Sequence, residues 1–510
     1  MKDLKERVIR GGLAKIGTQV ANLALRLGSL MILARLLEPK DFGLVAMVTA
    51  ISGGLSLFKD AGLSMATVQR DSISQEQMST LFWVNVLVGV ILASLMMAVA
   101  PFIADFYHEP QLFWVALALT ADFLFTGAAA QHSALLQRQM RFGTIAAIEF
   151  FCQLTSISVA IVMALNGMGY WALVGQAVTS PGLNAICTWG AAGWLPGLPK
   201  RGVGIRSMLR FGGLVTLNGL VVYIAYNVEK ILLGRFWGAE ALGVYGRAYQ
   251  LINIPTENIN SSISGIAFSA LSRIQNDPIK QKRYFLKGYS FLIALTLPIT
   301  IACAVFAEDV IFVVLGPKWS HSVPIFRLLA PTIVIFALIN PFAWFLYATG
   351  RAGRSLKLAF VIAPLVIVAY IIGLPYGPKG VALAYSIAMA LWVIPHIAWC
   401  IYGTEISAIN ILQTIIKPML SGIMAGVVAF GFKMSFSPFV AGLMIAATAL
   451  ELPLKIDPSV YPYLRLVVGC FVLISIYLFM LMYAMGQKKV YLDLLKGFKG
   501  RPSSNNEELA

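Results

Sequence analysis

Four cationic side chains lie within long apolar stretches of the sequence, and each has a polar neighbour one helical turn away. They are Arg26, Lys59, Lys230 and Arg247. A charge inside lipid is costly and usually faces a bundle interior or water. Arginine and lysine in a cavity of low dielectric constant bind multivalent anions such as phosphate or pyrophosphate. We therefore interpret the four as substrate-binding cations of one central cavity. The alternatives are structural ion pairs with acids such as Asp60 or Glu229, and snorkelling of those cations that lie near span ends.

Amide side chains share helix faces with these cations. In the first apolar stretch and around residue 250, polar residues recur every three or four positions, which places them along one side of a helix. Amides suit sugar hydroxyl groups, and the ring of Tyr223 can stack on a sugar face. The amide residues assigned to substrate binding are Asn22, Asn227, Gln250 and Asn253. The carboxylates of Asp60 and Glu257 are the first candidates for binding a coupling ion.

Some of the polar residues inside the apolar stretches are better explained by helix packing. Serine and threonine satisfy their own backbone carbonyls and support close helix contacts, which we expect of Ser29, Ser52 and Thr216. Asp122 and Glu149 stand in apolar stretches without a polar stripe, and we predict that they are structural partners of other side chains, with a proton site as the alternative.

The elements that carry these residues are predicted to be transmembrane helices. The chain is 58% hydrophobic and 12% charged, with a mean hydropathy of +0.78, whereas soluble proteins carry about 25% charged residues. Its apolar runs reach the length that spans a bilayer and do not alternate as barrel strands do. We therefore predict an all-α integral membrane protein with fourteen spans, the run 436–450 being a short piece beside its neighbour. The spans are 11–36, 43–67, 78–104, 111–131, 143–166, 170–194, 208–233, 243–271, 285–306, 323–347, 356–375, 380–402, 413–432 and 462–485.

The sequence also contains an internal duplication. The passage from Arg35 to Gly43 recurs 200 residues later, and Arg141 and Gly167 recur 210 residues later as Arg351 and Gly377. In a membrane protein, such a repeat is typical of transporters whose substrate path lies between the halves. The predicted domains are an N-lobe of six spans in 1–194, a cytoplasmic linker in 195–207, a C-lobe of six spans in 208–403, two additional helices in 404–486 and a cytoplasmic tail in 487–510.

Charge predicts the orientation and excludes several functions. Most of the 39 lysine and arginine residues fall in alternate loops on the side of both termini, which the positive-inside rule places in the cytoplasm. The net charge of +16 then reflects topology and affinity for anionic lipids, and we expect no nucleic-acid partner. The five cysteines lie in apolar runs without metal-ligand or redox spacing, and no phosphate-binding loop motif occurs. We expect no cofactor, no metal and no enzymatic active site.

Three passages resemble a known family. They are Ala34-Arg-Leu-Leu-Glu-Pro-Lys-Asp-Phe-Gly-Leu-Val45, Lys59-Asp-Ala-Gly-Leu63 and Asn166-Gly-Met-Gly-Tyr-Trp-Ala-Leu173. The chain resembles bacterial polysaccharide-repeat flippases of the polysaccharide transport family, in the superfamily that includes multidrug extruders and the lipid II flippase. The resemblance covers nearly the whole chain and implies two pseudo-twofold-related six-helix lobes with two further C-terminal helices.

The resemblance also implies a function. It implies movement of an undecaprenyl-pyrophosphate-linked oligosaccharide across the bacterial inner membrane by alternating access, for exopolysaccharide, capsule or O-antigen synthesis. Membrane lipids, a polysaccharide polymerase and chain-length or export proteins are the implied partners. In that family, cavity cations receive the pyrophosphate, a part that Arg26, Lys59, Lys230 and Arg247 can play here. The competing interpretations are a multidrug or metabolite antiporter of the same superfamily and a membrane glycan polymerase or ligase.

Overall fold

The computed structural model describes residues 21–59, 67, 73–200, 220, 223–449, 457, 460–488 and 491. This part of the chain is helical and contains no β-strand. The helices are α1 (21–36), α2 (Pro39–Ser56), α3 (Gln75–Tyr107), α4 (Gln111–Arg138), α5 (Phe142–Leu165), α6 (Trp171–Ala192), α7 (Val228–Arg273), α8 (Pro278–Val305), α9 (Ala307–Val314), α10 (Ser322–Leu329), α11 (Pro331–Ala348), α12 (Ala352–Gly373), α13 (Gly377–Ile401), α14 (Ala408–Ala449) and α15 (Tyr461–Phe479).

Local signals explain where several helices begin. Ser74 and Gln77 form a capping box before α3, in which the Ser74 hydroxyl accepts a 3.2 Å hydrogen bond from the Gln77 amide. Asp277 accepts a 2.9 Å hydrogen bond from the Lys280 amide at the start of α8. Within lipid, helices satisfy every backbone group internally. The sequence therefore folds into helices between short polar caps.

Eight stretches of the described chain are long and apolar enough to cross a membrane. They carry many large apolar side chains on their outer surface, such as Leu391 and Ile394, which are 71% and 77% exposed. Such an exposed apolar surface is unfavourable in water and suits a lipid environment. The protein is therefore a multi-pass, all-α membrane protein.

One predicted span differs from the observed helices. The run 436–450 is predicted as a short separate piece, but its residues up to Ala449 continue from the preceding span within the 42-residue helix α14. The predicted break between the spans 208–233 and 243–271 agrees with the structure, because α7 consists of two helical segments that meet at Gly238, where φ is +80°.

The chain divides into two compact units. Unit 1 comprises Met1–Gly246 and Val314–Lys318, and unit 2 comprises Arg247–Val313 and Trp319–Ala510. The boundary therefore falls inside α7. The predicted lobes and the linker 195–207 stay a prediction, since part of the linker lies outside the described residues.

Unit 1 is built around α4. This helix packs along α3 on one side and α6 on another, and α5 packs along α6. Residues 197–200, after α6, are bound to the start of α3, where the Trp83 indole donates a 2.9 Å hydrogen bond to the Gly197 carbonyl. The Lys200 amide donates a 3.1 Å hydrogen bond to the Thr80 hydroxyl.

Unit 2 has a core between α8, α14 and α15. Phe306, Leu473 and Tyr477 lie fully or almost fully buried in this core. Asp309 in the short helix α9 is buried, and its carboxylate accepts hydrogen bonds from two nitrogens of Arg465 in α15, with Nε donating to Oδ2 at 2.9 Å and Nη2 donating to Oδ1. This bidentate pair attaches α9 to α15.

The backbone is consistent with the predicted internal duplication. Three of the positive-φ residues of unit 1 have a positive-φ counterpart 210 positions later in unit 2. The pairs are Met140 (φ +54°) with Gly350 (φ +70°), Gly167 (φ +74°) with Gly377 (φ +71°), and Gly193 (φ +60°) with Gly403 (φ +68°). The two halves therefore share positive φ values at three turns.

Candidate functional site

Lys59 is neutralised by a carboxylate from another helix. Just beyond α2, its ammonium forms an ion pair with Asp122 in α4 and lies 5.1 Å from the centre of the Phe123 ring. The Thr126 hydroxyl donates a 3.0 Å hydrogen bond to the other Asp122 oxygen. The Lys59 and Asp122 side chains are 14% and 30% exposed, so the pair is largely withdrawn from solvent. The prediction that Asp122 is a structural partner is confirmed, and the acid that pairs with Lys59 is not Glu229.

Lys230 is held by an amide on its own segment. Its ammonium donates a 2.6 Å hydrogen bond to the side-chain oxygen Oδ1 of Asn227. The side-chain nitrogen Nδ2 of Asn227 in turn donates a 2.9 Å hydrogen bond to the Tyr223 backbone carbonyl. The Tyr223 hydroxyl lies 3.2 and 3.1 Å from the carbonyls of Thr49 and Ala50 in α2. Segment 223–231 is therefore docked on α2 through Tyr223. The structure brings together Lys230 and Asn227, as the polar stripe predicts.

A cavity of about 340 Å³ lies beside this segment within unit 1. Its described walls are hydrocarbon apart from Tyr223 and Asn227, and they include none of the four predicted cations. The lining residues are Ala50, Ile51, Gly54, Leu55, Phe58, Leu95, Val99, Leu220, Tyr223, Ile224, Asn227, Val228 and Ile231. Such a cavity suits an apolar group with a polar group at its edge. The predicted convergence of all four cations on one aqueous cavity concerns both units and stays a prediction.

The remaining predicted residues of α7 belong to unit 2. Arg247 donates a hydrogen bond to the Gln250 side chain about one turn further along the helix. Asn253 is half-buried, and Glu257 is exposed. The structure therefore brings together Arg247 and Gln250.

The first helix carries Asn22 and Arg26 one turn apart. Arg26 is exposed. Asn22 is half-buried, and its side-chain oxygen Oδ1 makes no hydrogen bond to the described chain. Asp60, the other candidate for a coupling ion, lies outside the described residues.

Sequence reasoning missed the environment of Glu229. This side chain is 0% exposed, and neither of its carboxylate oxygens makes a hydrogen bond. The position of Glu229 directly before Lys230 is a signal in the sequence, because adjacent residues on a helix point apart and cannot easily form an ion pair. A carboxyl group at this position therefore requires either a partner from another segment or protonation to the neutral acid.

Metal and thiol chemistry have no evident site in the described chain. No group of three or more His, Cys, Asp or Glu side chains in this part of the protein can hold a metal ion. The five cysteines are free thiols, of which Cys152 and Cys400 are buried. The polar contacts described above are an ion pair, between Lys59 and Asp122, and side-chain hydrogen bonds of Lys230 with Asn227 and of Arg247 with Gln250.

The long apolar helices define a polytopic helical membrane protein. The sequence profile of the family described as "Polysaccharide biosynthesis protein" matches residues 32–324. The chain belongs to this family.

Individual relatives agree with this assignment. The chain is 30% identical to the teichuronic acid biosynthesis protein TuaB of Bacillus subtilis (strain 168) over 74% of this chain and 79% of TuaB. It is 27% identical to the lipopolysaccharide biosynthesis protein WzxC of Escherichia coli (strain K12), over 76% of this chain and 80% of WzxC.

A solved structure has the same fold. The lipid II flippase MurJ in an inward closed conformation matches with a TM-score of 0.72 and 13% identity, over 95% of this chain and 99% of MurJ. At that identity the likeness concerns the fold alone.

Proposed function

We propose that this protein is a flippase that moves a lipid-linked oligosaccharide across the bacterial inner membrane. Membership of the polysaccharide biosynthesis family and the fold of a lipid flippase support this function. The substrate we infer is an undecaprenyl-pyrophosphate-linked repeat unit of an exopolysaccharide, capsule or O-antigen. Its anionic pyrophosphate and its sugar hydroxyls match the cations and amides of the membrane-spanning helices.

One observation carries this proposal. In the membrane-spanning unit 1, Lys59 is paired with the Asp122 carboxylate, and Lys230 is hydrogen-bonded to the Asn227 side-chain amide. An anion can replace either partner. A pyrophosphate offers several oxygen acceptors to such cations. Arg26, Arg247, Asn22, Gln250 and Asn253 are the further substrate contacts in this proposal.

The proposed mechanism is alternating access without chemistry on the substrate. The headgroup crosses through a polar path while the polyprenyl chain stays in lipid, and the two repeats move so that the path opens to one side at a time. The membrane potential contributes about 2.3 kcal/mol per charge per 100 mV to the movement of an anionic headgroup. No bond is made or broken, so the protein is a transporter and not an enzyme.

The proposed orientation and partners follow from the same scheme. Both termini lie in the cytoplasm, as the distribution of lysine and arginine predicts. A polymerase and chain-length or export proteins that use the flipped repeat unit are the protein partners. Cysteine labelling at positions 200 and 500 from the two sides of the membrane tests the orientation, and reactivity from the periplasm at either position would contradict it.

Export of a polysaccharide tests the function. In a strain whose own related flippase is deleted, the wild-type chain should restore surface polysaccharide. The double variant Arg26→Ala/Arg247→Ala should insert normally and fail to restore it, because the pyrophosphate loses two guanidinium partners. Ser29→Ala is the matched control and should export normally. Normal export by the double variant would contradict the assignment of an anionic lipid-linked substrate.

A further inference from the structure

Glu229 is a buried carboxyl group that the transport scheme above does not use. It is the second residue of α7, and it is 0% exposed. Neither carboxylate oxygen makes a hydrogen bond. The backbone N–H groups of Glu229 and Lys230 influence the carboxyl group, but neither makes a hydrogen bond to its oxygens. The carboxyl group therefore has neither water nor a donor to stabilise a negative charge.

The charges around Glu229 do not supply a partner. Among the described residues, Lys230 is the charged group that interacts with Glu229, and its ammonium donates a hydrogen bond to the Asn227 side chain. Tyr223 is another titratable group that interacts with Glu229. An ionised carboxylate that is buried without a partner is strongly disfavoured, whereas the neutral acid is tolerated. The surroundings of Glu229 therefore favour the neutral acid.

The position of Glu229 links its charge to a contact between two helices. Tyr223, six residues before it, docks segment 223–231 on α2 through the carbonyls of Thr49 and Ala50. Val228 and Ile231, on either side of Glu229, line the apolar cavity. A carboxylate at position 229 must reach water to be stable, and it can do so only if this segment moves away from its packing.

We propose that Glu229 is a proton-binding site whose occupancy holds segment 223–231 on α2, and whose deprotonation releases the segment. The ligand is one proton, which passes from the carboxyl oxygen to water. Its use as the coupling ion of transport rests on the proposed function, but the proton site itself does not. Glu229 differs in this respect from Glu257, the carboxylate first considered for coupling, because Glu257 is exposed.

Infrared spectroscopy tests proton binding directly. The full-length protein in liposomes should show the carbonyl band of a protonated carboxylic acid, and this band should lose intensity as the pH is raised. The variant Glu229→Gln should lack that pH-dependent component. Glu240→Gln, at an exposed position of the same helix, is the matched control and should keep it. An unchanged band in Glu229→Gln would overturn the proposal.

A distance measurement tests the release of the segment. Spin labels at positions 51 and 224, in a background where the five native cysteines are replaced, report the separation of α2 from segment 223–231. The distance should increase with pH in the wild type and stay short at every pH in Glu229→Gln. Glu229→Asp keeps an ionisable group and should retain a pH response. A pH-independent distance in the wild type would overturn the switch.

These measurements separate the proton site from the proposed function, because neither uses a polysaccharide precursor. A reconstituted protein that binds the proton but does not flip a fluorescent undecaprenyl-pyrophosphate-linked oligosaccharide would refute the proposed function alone. If both hold, an imposed pH gradient should change the flipping rate of the wild type. The same gradient should leave the rate of Glu229→Gln unchanged, and an equal response of both proteins would refute coupling through Glu229.

Discussion

Two regions of the molecule accommodate polar residues between helices differently. In unit 1, Lys59 and Asp122 form a largely buried ion pair. At the repeat offsets of 200 and 210 positions, unit 2 has Ile259 and Thr332 instead. Ile259 lines a small cavity of about 10 Å³ together with Asn260, whose side-chain oxygen is buried without a hydrogen bond. A space of this size holds about one water molecule. A charged pair in one unit thus contrasts with an apolar and a neutral polar residue in the other.

The difference shows which features the duplication has kept. Positive φ values at three turns are shared by both halves. The ion pair of Lys59 and Asp122 is not repeated at the offsets of 200 and 210 positions, and a charge in lipid is costly unless it is paired. The shared turns and the unshared ion pair can be tested separately.

The largest expected effect is at a contact that both repeats share. Gly43 and Gly243 are repeat equivalents, and a Cβ atom would lie 1.7 Å from the Ala239 carbonyl oxygen at Gly43 and 1.9 Å from the Pro39 carbonyl oxygen at Gly243. Gly43→Ala and Gly243→Ala should each lower the free energy of unfolding by about 3 kcal/mol, because backbone atoms on both sides must separate. Thermal unfolding in detergent measures this loss.

The control for this contact lies on the same helix as Gly243. At Gly246 no atom lies within 4 Å of an added Cβ. Gly246→Ala should stabilise by up to about 1 kcal/mol through helix propensity. A Gly43→Ala variant as stable as Gly246→Ala would refute the close reciprocal contact.

The next largest effect concerns the unshared ion pair. Asp122→Asn leaves the Lys59 ammonium without its carboxylate and should destabilise the protein by about 2 kcal/mol. The double variant Lys59→Ile/Asp122→Thr gives unit 1 the residues of unit 2 and should recover most of that loss, since no charge is left unpaired. Unfolding midpoints of the two variants in the same detergent make the comparison. A double variant less stable than Asp122→Asn would show that the scaffold itself requires the pair.

A smaller effect distinguishes the turns of the two halves. Met140 adopts φ +54° where its counterpart Gly350 has φ +70°. A side chain in this conformation costs about 1 kcal/mol, so Met140→Gly should stabilise slightly and Gly350→Ala should destabilise by about 1 kcal/mol. Thermal unfolding reports both. A Met140→Gly variant less stable than the wild type, or a Gly350→Ala variant as stable as the wild type, would contradict a positive φ at these two turns.

The smallest effect is a pH dependence at Glu308. Burial raises the pKa of this carboxyl, but the hydrogen bonds and charges of Arg327 and Lys433 outweigh it, so the pKa lies below the ordinary value of 4.5. A depressed pKa in the folded state adds stability above the unfolded pKa, and that stability is lost as the pH falls through the folded pKa. As the pH is lowered below 4.5, the unfolding midpoint of the wild type should thus decrease more steeply than that of Glu308→Gln. Glu109→Gln, which removes the pair with Lys40 in unit 1, is the matched variant and should change the slope less.

Much of the fold is predictable from the sequence, whereas the ends of some helices are not. The apolar runs predict helices in lipid, and the recurrence of Arg141 and Gly167 predicts a duplication with which the turns are consistent. The continuation of α14 from 436 to 449 could not be predicted, because an apolar run in lipid has no change of periodicity at a break. The break at Gly238 falls between the predicted spans 208–233 and 243–271, where Arg235 and Glu240 interrupt the apolar run.

The site is predictable in its residue types and not in its partners. The polar stripe placed Asn227 beside Lys230, because residues three positions apart share a helix face. The carboxylate that pairs with Lys59 lies 63 positions away, on a helix brought there by packing. No local pattern encodes such a pair. Nor does any pattern encode the full burial of Glu229, since its neighbours along the chain are not the atoms that exclude water from it.

We expect the proposed cations to receive the anionic headgroup of a lipid-linked oligosaccharide, and Lys59 can be tested without leaving an unpaired charge because its partner is Asp122. The most direct measurement is the flipping rate of a fluorescent undecaprenyl-pyrophosphate-linked oligosaccharide by the full-length protein in liposomes. The double variant Lys59→Ile/Asp122→Thr, folded and free of an unpaired charge, should flip about tenfold more slowly, because a hydrogen bond to a charged group contributes about 1.5–3 kcal/mol. Lys59→Arg should stay close to the wild-type rate. A wild-type rate in the double variant would contradict the claim.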